Sequence, residues 1–104
     1  MRDGHGRIFT GIHLGATVGR LSICAEATAV GRALIEGDGT VAVIVALRQP
    51  KPDEEPPHPA VVPPCGACRE MLADHAPDAH VILPGPSGLV RLPAALLLPL
   101  PYQR

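Results

Sequence analysis

Three thiols and one carboxylate carry the chemistry that this sequence offers. They are Cys24, Cys65 and Cys68, which are all of its cysteines, and Glu26, the acid two residues beyond the first. Cys65 and Cys68 are three apart, a spacing that on a helix stacks both thiols on one face, one turn apart. Zinc takes sulfur or imidazole ligands at about 2.0–2.3 Å in a tetrahedron; a structural site closes all four corners with protein, whereas a catalytic site keeps one for water. Two thiols from Cys65-Gly66-Ala67-Cys68 and a third from Cys24 fill three corners and leave the fourth open. Glu26 stands close enough to touch a water there without being a ligand.

The segment Cys24-Ala25-Glu26, followed by Pro64-Cys65-Gly66-Ala67-Cys68-Arg69, resembles the paired zinc motif of the cytidine deaminase superfamily in its three-cysteine form, that of the cytidine and blasticidin S deaminases. The resemblance runs from Asp3 to Tyr102, and its specific part is the two cysteine segments. It implies one Zn²⁺ per chain on Cys24, Cys65 and Cys68, with Glu26 as the catalytic proton shuttle. It also implies backbone contacts from Ala25 and Cys65 to the substrate ring. The ending Leu97-Leu98-Pro99-Leu100-Pro101-Tyr102 is similar to a family signature whose aromatic ring reaches a neighbouring subunit's pocket. Tyr102 is therefore expected to touch substrate across a homo-oligomer, with a tetramer favoured, as in the enzymes of the three-cysteine form. Family members usually carry an N-terminal helix and a first strand, and this sequence begins at what resembles the turn after that strand.

The implied reaction is hydrolytic deamination of a cytidine-like nucleoside or related aminated heterocycle, releasing ammonia. It needs water made nucleophilic near neutral pH, which zinc provides by lowering the pKa of bound water to about 7. It also needs a group that accepts the water's proton and passes protons to the ring nitrogen and the departing amine. Glu26 is the one carboxylate placed for that by its distance from a cysteine. Three thiolates on Zn²⁺ leave a net negative charge that weakens the Lewis acid. Two helix N-termini beneath the cysteines would offset it. In the family the residue after the catalytic Glu is often an arginine; here it is Ala27. Arg69, directly after Cys68, is the candidate for a cationic hydrogen bond to a ligand sulfur; the competing reading is a solvated surface arginine.

The family's sugar-binding segment reads Gly-x-Asn-Val-Glu-Asn. The corresponding stretch here is Gly11-Ile12-His13-Leu14-Gly15-Ala16, so the groups that would hold sugar hydroxyls are gone. Losing such groups removes both affinity and selectivity. Cytidine and deoxycytidine are thus expected to be poorer substrates than a modified nucleoside.

The elements that must position these residues are legible in outline. The chain of 104 residues suggests one domain, residues 1–104. Arg7–Leu14 is rich in β-formers and reads as a strand. Ser22 is a candidate N-cap for a helix running to Glu36 and stopped by Gly37-Asp38-Gly39. Val41–Leu47 is an unbroken apolar run, the pattern of a buried central strand. Residues 49–63 form a proline-rich loop containing Asp53-Glu54-Glu55. A second helix runs from Cys65 to His75 and ends at Ala76-Pro77. His80–Leu83 and Leu89–Leu92 read as short strands, and Pro93–Leu98 as a short helix. That order favours an α/β domain with a mixed sheet, and the resemblance implies a layered α/β/α arrangement.

Composition narrows the classes. A net charge of −1 argues against a nucleic-acid or membrane-surface footprint. Three cysteines cannot form a fully paired disulfide set, and all three fall in the motif, which fits a reducing cytoplasm. The N-terminus lacks the apolar run of a signal peptide. Leu96–Pro101 is too short and proline-broken to span a bilayer. None of the five histidines has ligand spacing to another or to the cysteine pair. Three rival readings remain: a structural zinc module, which would need a fourth ligand such as His58; a redox Cys-x-x-Cys, which leaves Cys24 and Glu26 without a role; and a catalytically inactive relative that keeps the metal and acts as a binding protein.

Overall fold

The computed structural model describes residues 1–104. Two helices, α1 (Ala25–Glu36) and α2 (Gly66–His75), accompany four strands, β1 (Val43–Arg48), β2 (Ala60–Val62), β3 (His80–Gly85) and β4 (Gly88–Pro93). Short 3-10 turns sit at Gly19–Leu21 and Ala94–Leu97. The strands form a mixed sheet in the order β2-β1-β3-β4, with β1 parallel to β3 and the other pairs antiparallel. This is an α/β fold of the kind the element order implies.

Parallel pairing of β1 with β3 requires a crossover, and α2 is that crossover. Ile44 lies opposite Val81 in the register, so the two side chains share one face of the sheet. Val30 of α1, Leu72 of α2 and Ala76 just beyond its end pack into one cluster with them, joined by Val41, Ala79 and Ala94. Both helices therefore cover the same face. Each large apolar side chain buried there stabilises by about 1.5–3 kcal/mol.

The opposite face explains a departure from expectation in β1. Its apolar run reads as a strand buried on both sides, yet Val45 is 39% and Leu47 61% exposed. They alternate with Ile44 and Ala46, so they point away from both helices.

Arg7–Leu14 is not a strand. Only isolated bridges pair it with other backbone, Ile8 to Arg2 and Leu14 to Ile23. Its backbone partner is the short stretch around Arg2, which also bridges to Val43, and no ladder forms. Ser22 does not cap α1. Its Oγ accepts the Ala16 N–H at 3.1 Å, and Cys24 takes the N-cap position. Within the proline-rich segment Ala60–Val62 pairs with Ala46–Arg48, an antiparallel return that leads the chain into α2. No helix is long and apolar enough to cross a membrane.

Candidate metal centre and active-site cleft

Cys24 and Cys65 are the N-cap residues of α1 and α2. Cys68 lies in the first turn of α2, one turn on from Cys65. The two helices touch, and their N-terminal ends bring the three sulfurs together, all within 4.8 Å of one another. Cys24 Sγ and Cys65 Sγ are 3.5 Å apart, and no disulfide forms. Zinc–thiolate bonds of about 2.3 Å in a tetrahedron place sulfurs about 3.8 Å apart, so donor type and spacing both fit a three-thiolate zinc site. His58 and the other histidines lie outside the cluster.

The electrostatics favour deprotonation unevenly. The Cys68 N–H beside its sulfur holds the Cys65 thiol below its ordinary pKa, against the opposing effect of burial. Neither N-cap cysteine forms a full side-chain cap bond, so the Cys68 N–H, with that of Ala67, acts on Cys65 as a nearby donor at the helix N-terminus. Burial pushes the Cys68 thiol up; it is only 2% exposed. Cys24 also moves up, first through its hydrogen bond to Cys65 and then through burial. A cation bound between them would reverse both upward shifts.

A cleft of about 580 Å³ opens on this cluster. Cys24, Ala25, Glu26 and Cys65 line it at the helix end, Gly11, Ile12 and His13 along one side, and Ala46, Leu47, Arg48, Gln49, Val62 and Pro63 opposite. Glu26 lies in the first turn of α1, where a carboxylate suits the helix dipole. It is half-buried, lines a second hollow of about 320 Å³ as well, and takes part in none of the chain's ion pairs.

Gly11 lets the Ile12–His13 wall approach α1. A Cβ there would meet the Ala25 carbonyl oxygen at 2.2 Å and the Ala29 nitrogen at 2.4 Å. Thr28 completes the attachment: its Oγ1 accepts the Ile12 N–H at 2.9 Å and lies 3.0 Å from the Ile12 carbonyl and 2.9 Å from that of Ala25.

Arg69 bonds otherwise than expected, and Tyr102 lies outside this chain's own cleft. The Arg69 guanidinium bonds to no sulfur. Its Nε donates to the Pro64 carbonyl at 2.9 Å and its Nη1 to the Leu97 carbonyl at 3.2 Å. It thus ties the backbone just before Cys65 to the C-terminal 3-10 turn. Tyr102 is 82% exposed and is not among the residues lining the cleft. Conversely, Arg48 and Gln49 enter the cleft without any signal in the sequence. They follow an apolar strand whose end and register depend on β2.

No protein-family model matches the chain. A blasticidin-S deaminase of Bacillus cereus is 40% identical to it over 104 residues, covering the whole chain and 74% of that protein. The chain belongs to the cytidine deaminase superfamily. Solved deaminases of this superfamily share its fold. The cytidine deaminase of Burkholderia pseudomallei aligns with a TM-score of 0.69 at 25% identity, covering 97% of this chain and 76% of that one. That of Mycobacterium leprae aligns with 0.70 at 24% identity, covering 94% and 73%, and that of Mycobacterium tuberculosis with 0.72 at 22%, covering 98% and 74%.

Proposed function

We propose that this chain is a zinc-dependent aminohydrolase that removes the exocyclic amine of a cytosine-like ring or related cyclic amidine. One observation carries the reading. Three thiols gather at two helix N-termini, and two of them, Cys24 and Cys65, share a cleft with the unpaired carboxylate of Glu26.

Cys24, Cys65 and Cys68 would hold one zinc ion. When bound, that ion supplies Lewis acidity and brings the pKa of water to about 7. Glu26 takes a proton from the attacking water and delivers protons to the ring nitrogen and the departing amine. Water's oxygen bonds to the amine-bearing carbon, the carbon–nitrogen bond breaks and ammonia leaves, so the amidine becomes an amide. Ala25 and Cys65 orient the ring through backbone groups. The Arg69 bonds to Pro64 and Leu97 support a positioning role, holding Cys65 in place. Tyr102, exposed in this chain, suits a contact made across a homo-oligomer, with a tetramer favoured. Residues 1–104 act as one domain, and the three free thiols suit a reducing cytoplasm.

His13 lines the cleft, while Gly15 and Ala16 do not. With no carboxylate or amide at those three positions to hold a ribose, unmodified cytidine and deoxycytidine should be poor substrates. Steady-state ammonia release from cytidine, deoxycytidine and blasticidin S tests the function. The expected result is turnover of at least one substrate, with cytidine the weaker. Retained zinc with no turnover of any aminated pyrimidine would replace this reading with that of an inactive, metal-holding relative.

A further inference from the structure

Arg48 is the last residue of β1 and lines the same cleft as Glu26, Cys24 and Cys65. Its guanidinium is half-exposed and paired with a single carboxylate, that of Glu54. The pairing is lopsided. One nitrogen, Nη2, reaches both Glu54 oxygens, at 2.6 and 2.8 Å, while Nη1 and Nε make no hydrogen bond to the protein. Arginine offers five donors in a planar fork matched to carboxylate and phosphate. Arg48 stands between the cleft and a neighbouring polar hollow of about 540 Å³ that it lines with Glu54, and most of the fork's donors are unused.

Glu54 comes from the proline-rich segment rather than from the sheet. The Lys51 N–H, at 3.0 Å, and then Arg48 hold its carboxyl below the usual range, so it is ionised at neutral pH. Such a solvent-facing pair contributes little to stability and exchanges partners at small cost. Arg48 is the only lysine or arginine lining the cleft.

We infer that Arg48 is the specificity-determining residue of the cleft, that it recognises an anionic group carried by the substrate at the end remote from the amine, and that Glu54 occupies its fork when substrate is absent. The inference rests on the deaminase reading for the orientation of the ligand. The amine-bearing ring goes to Glu26, and the rest of the molecule lies along Leu47, Arg48 and Gln49. The substrate class is an aminated pyrimidine whose sugar carries a carboxylate or a phosphate. This gives the cleft a recognition element where the sugar-hydroxyl ligands are lacking. Glu54 acts as an internal competitor, so neutral ligands gain nothing from Arg48.

Calorimetric binding of cytidine, its 5′-carboxylate analogue and cytidine 5′-monophosphate to the zinc-loaded chain tests this without requiring turnover. Wild type should bind an anionic ligand about tenfold or more tighter than cytidine at low salt, a gap set by charge-assisted hydrogen bonds and narrowed by added salt. Arg48→Ala should collapse the ratio of affinities to near one, and Arg48→Lys should restore part of it. Glu54→Gln, which leaves the fork in place but removes the competitor, should widen it. The carboxylate and phosphate arms show which anion fits. Equal affinity for neutral and anionic ligands in wild type, no measurable binding of any of them, or an unchanged ratio in Arg48→Ala would overturn the assignment. Ammonia release, measured alongside, reports on the deaminase reading separately: anion-selective binding without turnover would remove the reaction and keep the anion site.

Discussion

Cys24 Sγ and Cys65 Sγ lie 3.5 Å apart although 41 positions separate them in the chain. Each is the residue immediately before its helix, so the contact is a meeting of two helix N-termini. Side-chain oxygens of Ser, Thr, Asp or Asn are the usual choice at that position, and replacing such a cap typically costs about 1 kcal/mol. Here two cysteines stand there and neither makes a cap bond. Local helix stability is conceded at the point where the sulfurs and the free amides converge, which is where a functional site is expected to break a local rule.

A metal prediction follows from that convergence. The chain should bind one zinc, and either Cys65→Ser or Cys68→Ser should release it. Cys68 is buried against the fold, so its loss should also lower the thermal midpoint more than that of exposed Cys65. Elemental analysis with thermal unfolding checks both statements. Zinc retained at full occupancy in the two variants would contradict the three-thiol site.

Gly11→Ala should damage the cleft without touching a proposed ligand. The new Cβ would sit 2.2 Å from the Ala25 oxygen and 2.4 Å from the Ala29 nitrogen, both backbone atoms of a helix that cannot yield. The overpacking cost is about 1–3 kcal/mol, and the Ile12–His13 wall must move away from α1. Chemical denaturation should show the loss of stability. Stability within experimental error of wild type would mean that this wall is not seated as described.

Acid sensitivity should involve Asp38. Hydrogen bonds from the Thr40 hydroxyl and N–H, followed by His5, hold its carboxyl down to about 2. An unfolded Asp titrates near ~3.9. The folded pKa is depressed, so the contribution is fully present above about pH 4 and is lost as the pH falls toward about 2. Asp38→Asn lacks it throughout. Unfolding midpoints of wild type and Asp38→Asn should therefore differ at pH 5, draw together as the pH falls, and converge only below about pH 2. A gap of constant size across that range would remove Asp38 from the acid limb.

The helices and the cysteine set were readable because their signals are local: the three-residue spacing within Cys65–Cys68, the apolar stripe of α1, and stops at Gly37 and Ala76-Pro77. What stayed hidden depends on distant partners. Ala60–Val62 lies among prolines, and only its pairing with Ala46–Arg48 makes it a strand. Arg7–Leu14 has the composition of a strand but finds only isolated bridges. Exposure of Val45 and Leu47 depends on which face the helices choose, and both choose the face of Ile44. Arg48 and Gln49 enter the cleft through the register of β1 with β2, which no local pattern encodes. Arg69 was legible as a residue near the cysteines, but its bonds to Pro64 and Leu97 depend on how the C-terminal turn folds back.

The most direct measurement of the central claim is ammonia release by Glu26→Gln beside wild type, with zinc content determined on the same samples and the best substrate of the panel. The change keeps the size and hydrogen-bonding reach of the side chain but removes the proton acceptor. The account predicts one zinc per chain in both proteins and a loss in turnover of about 10²–10⁴ or more in the variant. Ammonia released at the wild-type rate by a zinc-loaded Glu26→Gln would contradict it.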